Sequence, residues 1–178
     1  MKSYNKLKTI GSKYTFIILL GFFSFLSCEK DPNPEYQSDS FYFNSFESAS
    51  DTIGWLGIST ENIVEDTPQS GGKKSLKISG GCVIPHAYYK IEPLAEDCSF
   101  VLKLWGKNLS NGGSVSLYNE NKTGYISISV SESSWTKLVS NDTLHCTTGS
   151  SLILEFVSGG FLESSMLVDL IEITKVDP

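Results

Sequence analysis

Apolar and polar residues alternate with a period of two through most of the chain, and helical periodicity is almost absent. In "FVLKLWGK", Phe100, Leu102 and Leu104 share one face, with Val101, Lys103, Trp105 and Lys107 on the other. In "SVSLYN", Val115 and Leu117 oppose Ser114, Ser116 and Tyr118, and in "YISISV", Ile126, Ile128 and Val130 oppose Tyr125, Ser127 and Ser129. In "LILEFV", Leu152, Leu154 and Phe156 oppose Ile153, Glu155 and Val157. Successive side chains of a strand point to opposite faces, so each run predicts a half-buried strand. Such runs fall at 41–47, 75–80, 86–92, 98–106, 113–119, 124–130, 135–140, 151–157 and 166–176. Clusters rich in Gly, Asn and Ser separate them, among them "QSGGKK", "NLSNGGS" and "NENKTG". About nine short antiparallel strands at this spacing predict an all-β fold, a β-sandwich or jelly roll.

Each predicted strand has one dry face and one polar face that carries large residues. If these strands share a sheet, its outer face displays Lys103, Trp105, Tyr118, Tyr125 and Glu155. Sugars lay their apolar C–H faces on aromatic rings and present hydroxyls to polar groups at the edge. The five residues are therefore candidate ligand contacts for a glycan. An outward tryptophan also serves to pack beneath a loop, and that reading of Trp105 stands beside the first.

The first residues break the pattern. Lys2, Lys6, Lys8 and Lys13 precede an apolar run, Tyr14 to Leu26, too short for the roughly 20 residues of a membrane-spanning helix. Positive residues, an apolar run and a small residue form the order of a secretory signal. "FLSC" at Phe25–Cys28 resembles the lipobox of bacterial lipoproteins, in which the cut precedes the cysteine and acyl chains are added to it. The charged "CEKD" at Cys28–Asp31 resembles the surface-export signal of Bacteroidetes lipoproteins. The expected organisation is a signal peptide at 1–27, a lipid-anchored tether at 28–40 and a β-sandwich domain at 41–178. It implies an outer-membrane protein anchored through lipid on Cys28 and exposed at the cell surface.

Removal of the leader takes four of the 14 lysines and leaves ten against 20 acids, a net charge of −10. No arginine occurs anywhere. Both facts argue against a nucleic-acid partner, which requires a basic surface.

The order of motifs resembles the galactose-binding-like jelly rolls, and among them the carbohydrate-binding modules of the CBM4/9/22 type. The motifs are "NSFESASDTIGW", "TPQSGGKKSLKI", "CSFVLKLWGK", "SSWTKL", "GSSLILEFVSGG" and "MLVDLIEITKV", spanning nearly all of 41–176. The resemblance implies a glycan ligand, packing roles for Trp55 and Trp135, and a structural calcium on Glu47 and Asp169. The family often has a second acid in its last strand, where this chain has Leu170.

The residues themselves lead to the same pair. Asp169 lies on a strand face with Leu167, Ile171 and Ile173, where an ionised carboxylate needs a partner. Antiparallel pairing of the first and last strands brings Phe41 near Lys175 and Glu47 near Asp169. Two close carboxylates repel unless a cation joins them, and calcium also accepts carbonyl oxygens, which the turn Ser70–Ser75 could supply.

Chemistry for catalysis is sparse. His145 and Cys146 are strand neighbours and point apart. No CxxC or HxxxH spacing exists for zinc, and nothing in the sequence sets Glu155 opposite Glu172 as a hydrolase pair. The expectation is a non-enzyme. Beyond the lipid-bearing Cys28 three cysteines remain, Cys82, Cys98 and Cys146, enough for one disulfide and one spare thiol. In the assumed jelly roll the segment from Trp135 returns along the strand opened by Cys98, which favours a Cys98–Cys146 bridge, with Cys82 as rival for either partner. Two functions remain: glycan capture at the cell surface, or a structural or adhesive lipoprotein whose sandwich binds a protein partner.

Overall fold

A computed structural model describes residues 40–80, 86–160 and 163–176. Cys28, Cys82, the leader expected at 1–27 and the tether expected at 28–40 lie outside the described residues, except for Ser40, which opens the first strand instead of ending the tether. The fold is a β-sandwich jelly roll of two antiparallel sheets. The described residues form twelve strands: β1 (Ser40–Asn44), β2 (Trp55–Leu56), β3 (Ile63–Val64), β4 (Ser75–Ser79), β5 (His86–Ile91), β6 (Cys98–Ser110), β7 (Gly113–Asn119), β8 (Tyr125–Val130), β9 (Thr136–Val139), β10 (Leu144–Cys146), β11 (Leu152–Ser158) and β12 (Ser165–Val176). Nine match the runs read from the alternation. The additional three, β2, β3 and β10, have only two or three residues each, too few to show a period.

One sheet has seven strands, with β6 and β12 at its centre, β4 and β1 in line on the far side of β12, and β9 and β10 in line beyond β6. The other has five, in the order β2-β5-β11-β7-β8. The dry faces form the core between them. Phe100, Leu102, Val115, Leu117, Leu152, Leu154 and Phe156 are fully buried. Trp55 joins them, stacked on Phe156 with ring centroids 4.8 Å apart.

The pairing of β1 with β12 follows the expected sense: Asn44 faces Ile171, and the Lys175 ammonium lies 5.5 Å from the Phe41 ring centroid. A bulge between Asp169 and Glu172 changes the face assignment of β12. Leu170 takes a left-handed φ of 47°, unfavourable for a residue with a Cβ. A bulge adds a residue without a partner and switches the alternation. Ile171 and Ile173 therefore enter the core, whereas Leu167 and Asp169 pair with the outward residues Lys107 and Trp105. Asp169 is not on the core face with Ile171 and Ile173, as the unbroken alternation had required. It is nonetheless fully buried, because the loop 65–74 covers it.

Candidate functional site

The strands holding the five predicted ligand contacts do not share a sheet. Lys103 and Trp105 are on β6, in the seven-stranded sheet, and Tyr118, Tyr125 and Glu155 are on β7, β8 and β11, in the five-stranded sheet. The outer faces of the two sheets look in opposite directions, so the single platform expected from the sequence is divided. Alternation tells inside from outside, but long-range pairing decides which sheet a strand joins.

The outer face of the five-stranded sheet is the more continuous of the two. Cross-strand pairing aligns Leu56, Tyr88, Glu155, Ser116 and Ser127 in one row. Strands lie about 4.8 Å apart, so this row runs about 19 Å across the sheet. The next row aligns Lys90, Ile153, Tyr118 and Tyr125. Tyr125 is 73% exposed, and Tyr118 is half-buried. Burial, then the Glu155 carboxylate and Tyr88, push the Tyr118 hydroxyl above its usual pKa, which places these three groups within electrostatic reach. The Ser116 and Ser127 hydroxyls lie 2.9 Å apart, and Lys90 reaches Glu120 at 2.8 Å. Beyond Ser116 the face opens into a cavity of about 540 Å³, floored by Ser114, Ser129 and Val157 and rimmed by Asn108, Gly112 and Gly160. Tyr88 and the serine floor were missed in the sequence. The stretch "HAYYKI" alternates too weakly to assign Tyr88 outward without its register to Glu155.

Glu47 and Asp169 come together around one glycine turn. A Cβ built on Gly71 would overlap Asp169 Oδ2, and one on Gly72 would overlap Glu47 Oε1. The turn is closed by Gly71 N–H donating to Pro68 O at 2.9 Å, and Gly72 has a φ of 77°, where glycine is unstrained. Glu47 accepts the Lys73 and Lys74 backbone N–H groups at 3.1 Å. Asp169 Oδ1 accepts the Leu170 N–H at 2.7 Å, but the buried Oδ2 has no hydrogen-bond partner. Burial drives the Asp169 carboxyl up to about 8; the Leu170 N–H opposes this and Glu47 adds to it. Left-handed residues stand beside both acids, Phe46 before Glu47 and Leu170 after Asp169. Such backbone strain collects where a local geometry is held for a purpose. Among the described residues no group of three or more His, Cys, Asp or Glu side chains converges. A cation here would thus be held by two carboxylates, with carbonyls or water completing its shell.

The remaining candidates are placed as follows. Cys98 and Cys146 face each other across β6 and β10, and in this structure both thiols are free, without the disulfide expected from the sequence. Burial and then the neighbouring Cys98 raise the Cys146 thiol. Trp135, expected in the core, is only half-buried; its Nε1–H donates to Asp66 Oδ1 at 2.8 Å, a partner the core lacks. Glu155 and Glu172 lie on the outer faces of different sheets, so they cannot flank one substrate bond.

No protein-family model matches the chain, and no curated protein matches it. Solved structures share its fold. The CBM22-1 xylan-binding domain of Paenibacillus barcinonensis Xyn10C aligns with a TM-score of 0.53 at 16% identity, over 79% of this chain and 96% of that one. The CBM22-1–GH10 modules of Clostridium thermocellum xylanase 10B, solved with xylohexaose, align with a TM-score of 0.51 at 14% identity over 79% of this chain. The Cry4Aa toxin of Bacillus thuringiensis aligns with a TM-score of 0.49 at 11% identity over 68% of this chain. The chain spans only 29% of the xylanase and 22% of the toxin.

Proposed function

We propose that this chain is a non-catalytic glycan-capture protein of a bacterial surface, and that it holds an oligosaccharide on the outer face of the five-stranded sheet. The observation that carries the reading is the pair of rows in which Tyr88 and Tyr118 flank Glu155 and Tyr125 extends the second row, with serine hydroxyls continuing to the cavity. Tyrosines offer flat apolar area with a polar rim on which the C–H face of a sugar can lie. Glu155 accepts sugar hydroxyls. The xylan-binding and xylohexaose-bound neighbours support a carbohydrate as the ligand class. Binding of the purified protein to a panel of neutral polysaccharides in affinity gels tests the reading. At least one should retard the protein, and Tyr118→Ala with Tyr125→Ala should abolish the retardation; a panel without effect overturns it.

In this reading Cys28 carries the acyl chains that hold the protein to the outer membrane, and residues 28–40 give the domain its reach. Glu47 and Asp169 hold a structural calcium, which ties the strand end after β1 to β12. The unpartnered Asp169 Oδ2 and the glycine turn against both carboxylates support that role. A protein-binding reading has one observation in its favour: Ile53 and Leu56, 74% and 56% exposed, lie at the β2 edge near Tyr88. Leu56→Asp would then disrupt a complex while leaving glycan binding by Tyr118 and Tyr125 intact.

A further inference from the structure

The opposite face of the sandwich carries a second set of aromatic and charged side chains. Lys103, Trp105 and Lys107 succeed one another on the outer face of β6. Antiparallel pairing sets Lys137 opposite Trp105 and Val139 opposite Lys103. Trp135, one residue before β9, comes beside Lys107, and the two share Asp66. Lys107 Nζ donates to Asp66 Oδ2 at 2.8 Å, and Trp135 Nε1–H donates to Asp66 Oδ1 at 2.8 Å. Burial of Asp66 works against ionisation, but the Lys107 and Trp135 hydrogen bonds hold its carboxyl below the usual range. Lys103 Nζ donates to Thr174 Oγ1 at 3.1 Å and lies 3.7 Å from Glu172. Two of the three tryptophans thus occupy one face, diagonal neighbours across a strand pair at about 7–8 Å. Trp105 is half-buried and makes no hydrogen bond or ring contact among the described residues. Lys137 is exposed and has no acidic partner among them.

We propose that this face is a second ligand surface and that its ligand is an anionic polysaccharide bearing carboxylates or sulfates. Among the side chains this face presents to solvent, three lysines stand around Trp105 against the two carboxylates of Asp66 and Glu172, in a chain whose charge outside the leader is −10; Asp169, paired with Trp105 from β12, is fully buried beneath the loop 65–74. A local cationic excess on an acidic protein selects an anion. Two indoles held at fixed spacing suit sugar rings, and the Asp66 bonds orient Trp135 in advance. A membrane surface is less well matched, because both indoles are half-sunk in the sheet and do not protrude into lipid. The proposal does not depend on the tyrosine face, which lies on the other sheet.

The test uses the full chain in detergent and measures its affinity for polygalacturonate, for the neutral methyl ester of the same polymer, and for dextran sulfate. The acid polymer or the sulfate should bind at least tenfold more tightly than the ester, and more weakly as salt is raised. Trp105→Ala and Lys137→Gln should each weaken binding about fivefold or more, with unchanged melting temperature for the exposed Lys137→Gln. Glu155→Gln, on the opposite face, should leave it unchanged. No binding to either polyanion, equal binding of acid and ester, or binding by Trp105→Ala as tight as by the parent overturns the proposal. So does retention on phosphatidylglycerol vesicles without retention on the polymers.

Discussion

Asp169→Asn is the perturbation that most sharply separates a buried charge from a metal ligand. The residue is fully buried, and its carboxyl is raised from 3.8 to about 8, chiefly by that burial. A carboxyl with a raised folded-state value binds its proton more tightly folded than unfolded. Stability without metal is therefore greatest below about pH 4 for this group and falls as pH rises toward 8. At pH 7 the folded state holds a proton that the unfolded state has lost, across about three pH units. At about 1.4 kcal/mol per unit this costs about 4 kcal/mol. Asparagine retains the Oδ1 acceptor for the Leu170 N–H and removes the titration. Its Nδ2–H₂ finds no acceptor where Oδ2 now lacks a donor, which returns about 1–2 kcal/mol. The net expectation in chelator at pH 7 is a gain of roughly 2–3 kcal/mol, or a melting temperature higher by roughly 5–10 °C. Calcium closes the gap: the wild type gains about 2.7 kcal/mol at a hundredfold excess over the dissociation constant, enough to bring it about level with the variant, which gains little. The assay is thermal unfolding at pH 5, 7 and 8 with chelator and with calcium. A wild type indifferent to pH and to calcium, or a variant less stable than the wild type in chelator, refutes the reasoning.

Cys98 and Cys146 should oxidise to a disulfide in an exported protein. Opposed residues of an antiparallel pair have Cα atoms about 4.5–5.5 Å apart, inside the range a bridge spans. The loop closed is about 48 residues, worth about 4 kcal/mol by chain entropy, so reductant should lower the melting temperature of the wild type and not of Cys146→Ser; full alkylation of both thiols in the exported protein would exclude the bridge. Gly71→Ala should destabilise the fold and remove its calcium response together, since the added methyl meets Asp169 and Pro68; a melting curve identical to the wild type would contradict this. Mass spectrometry of membrane-extracted protein should find an acylated amino-terminal Cys28, and an unmodified terminus downstream of it would count against the anchor.

Much of this architecture was legible from alternation. The inward rows Phe100-Leu102-Leu104 and Leu152-Leu154-Phe156 are the core because a period of two leaves no other face for them. The antiparallel pairing of β1 with β12 was legible as well, but Glu47 lies beyond the end of β1 at Asn44 and approaches Asp169 around the Gly71–Gly72 turn, which counting along paired strands does not show. Other features had no local signal. The bulge at Leu170 depends on a left-handed non-glycine residue, which the alternation conceals, and it turned Asp169 from the core face to the outer one. The division of Trp105 and Lys103 from Tyr118, Tyr125 and Glu155 depends on which strands pair over long distances, and periodicity is silent on that. The packing role of Trp135 comes from the resemblance alone, and nothing local in the sequence shows a partner for its indole N–H. Asp66, nearly seventy residues earlier in the chain, supplies that partner at the surface.

The central claim is that the outer face of the five-stranded sheet binds glycan, and mapping amide chemical shifts while a bound oligosaccharide is titrated tests it most directly. The largest shifts should fall at Tyr88, Ser116, Tyr118, Tyr125, Ser127 and Glu155, extending toward Ser114 and Ser129. Residues of β6 and β9 should stay still with a neutral ligand. Shifts confined to the seven-stranded sheet or to the β2 edge, with the tyrosine rows unmoved, would contradict the account.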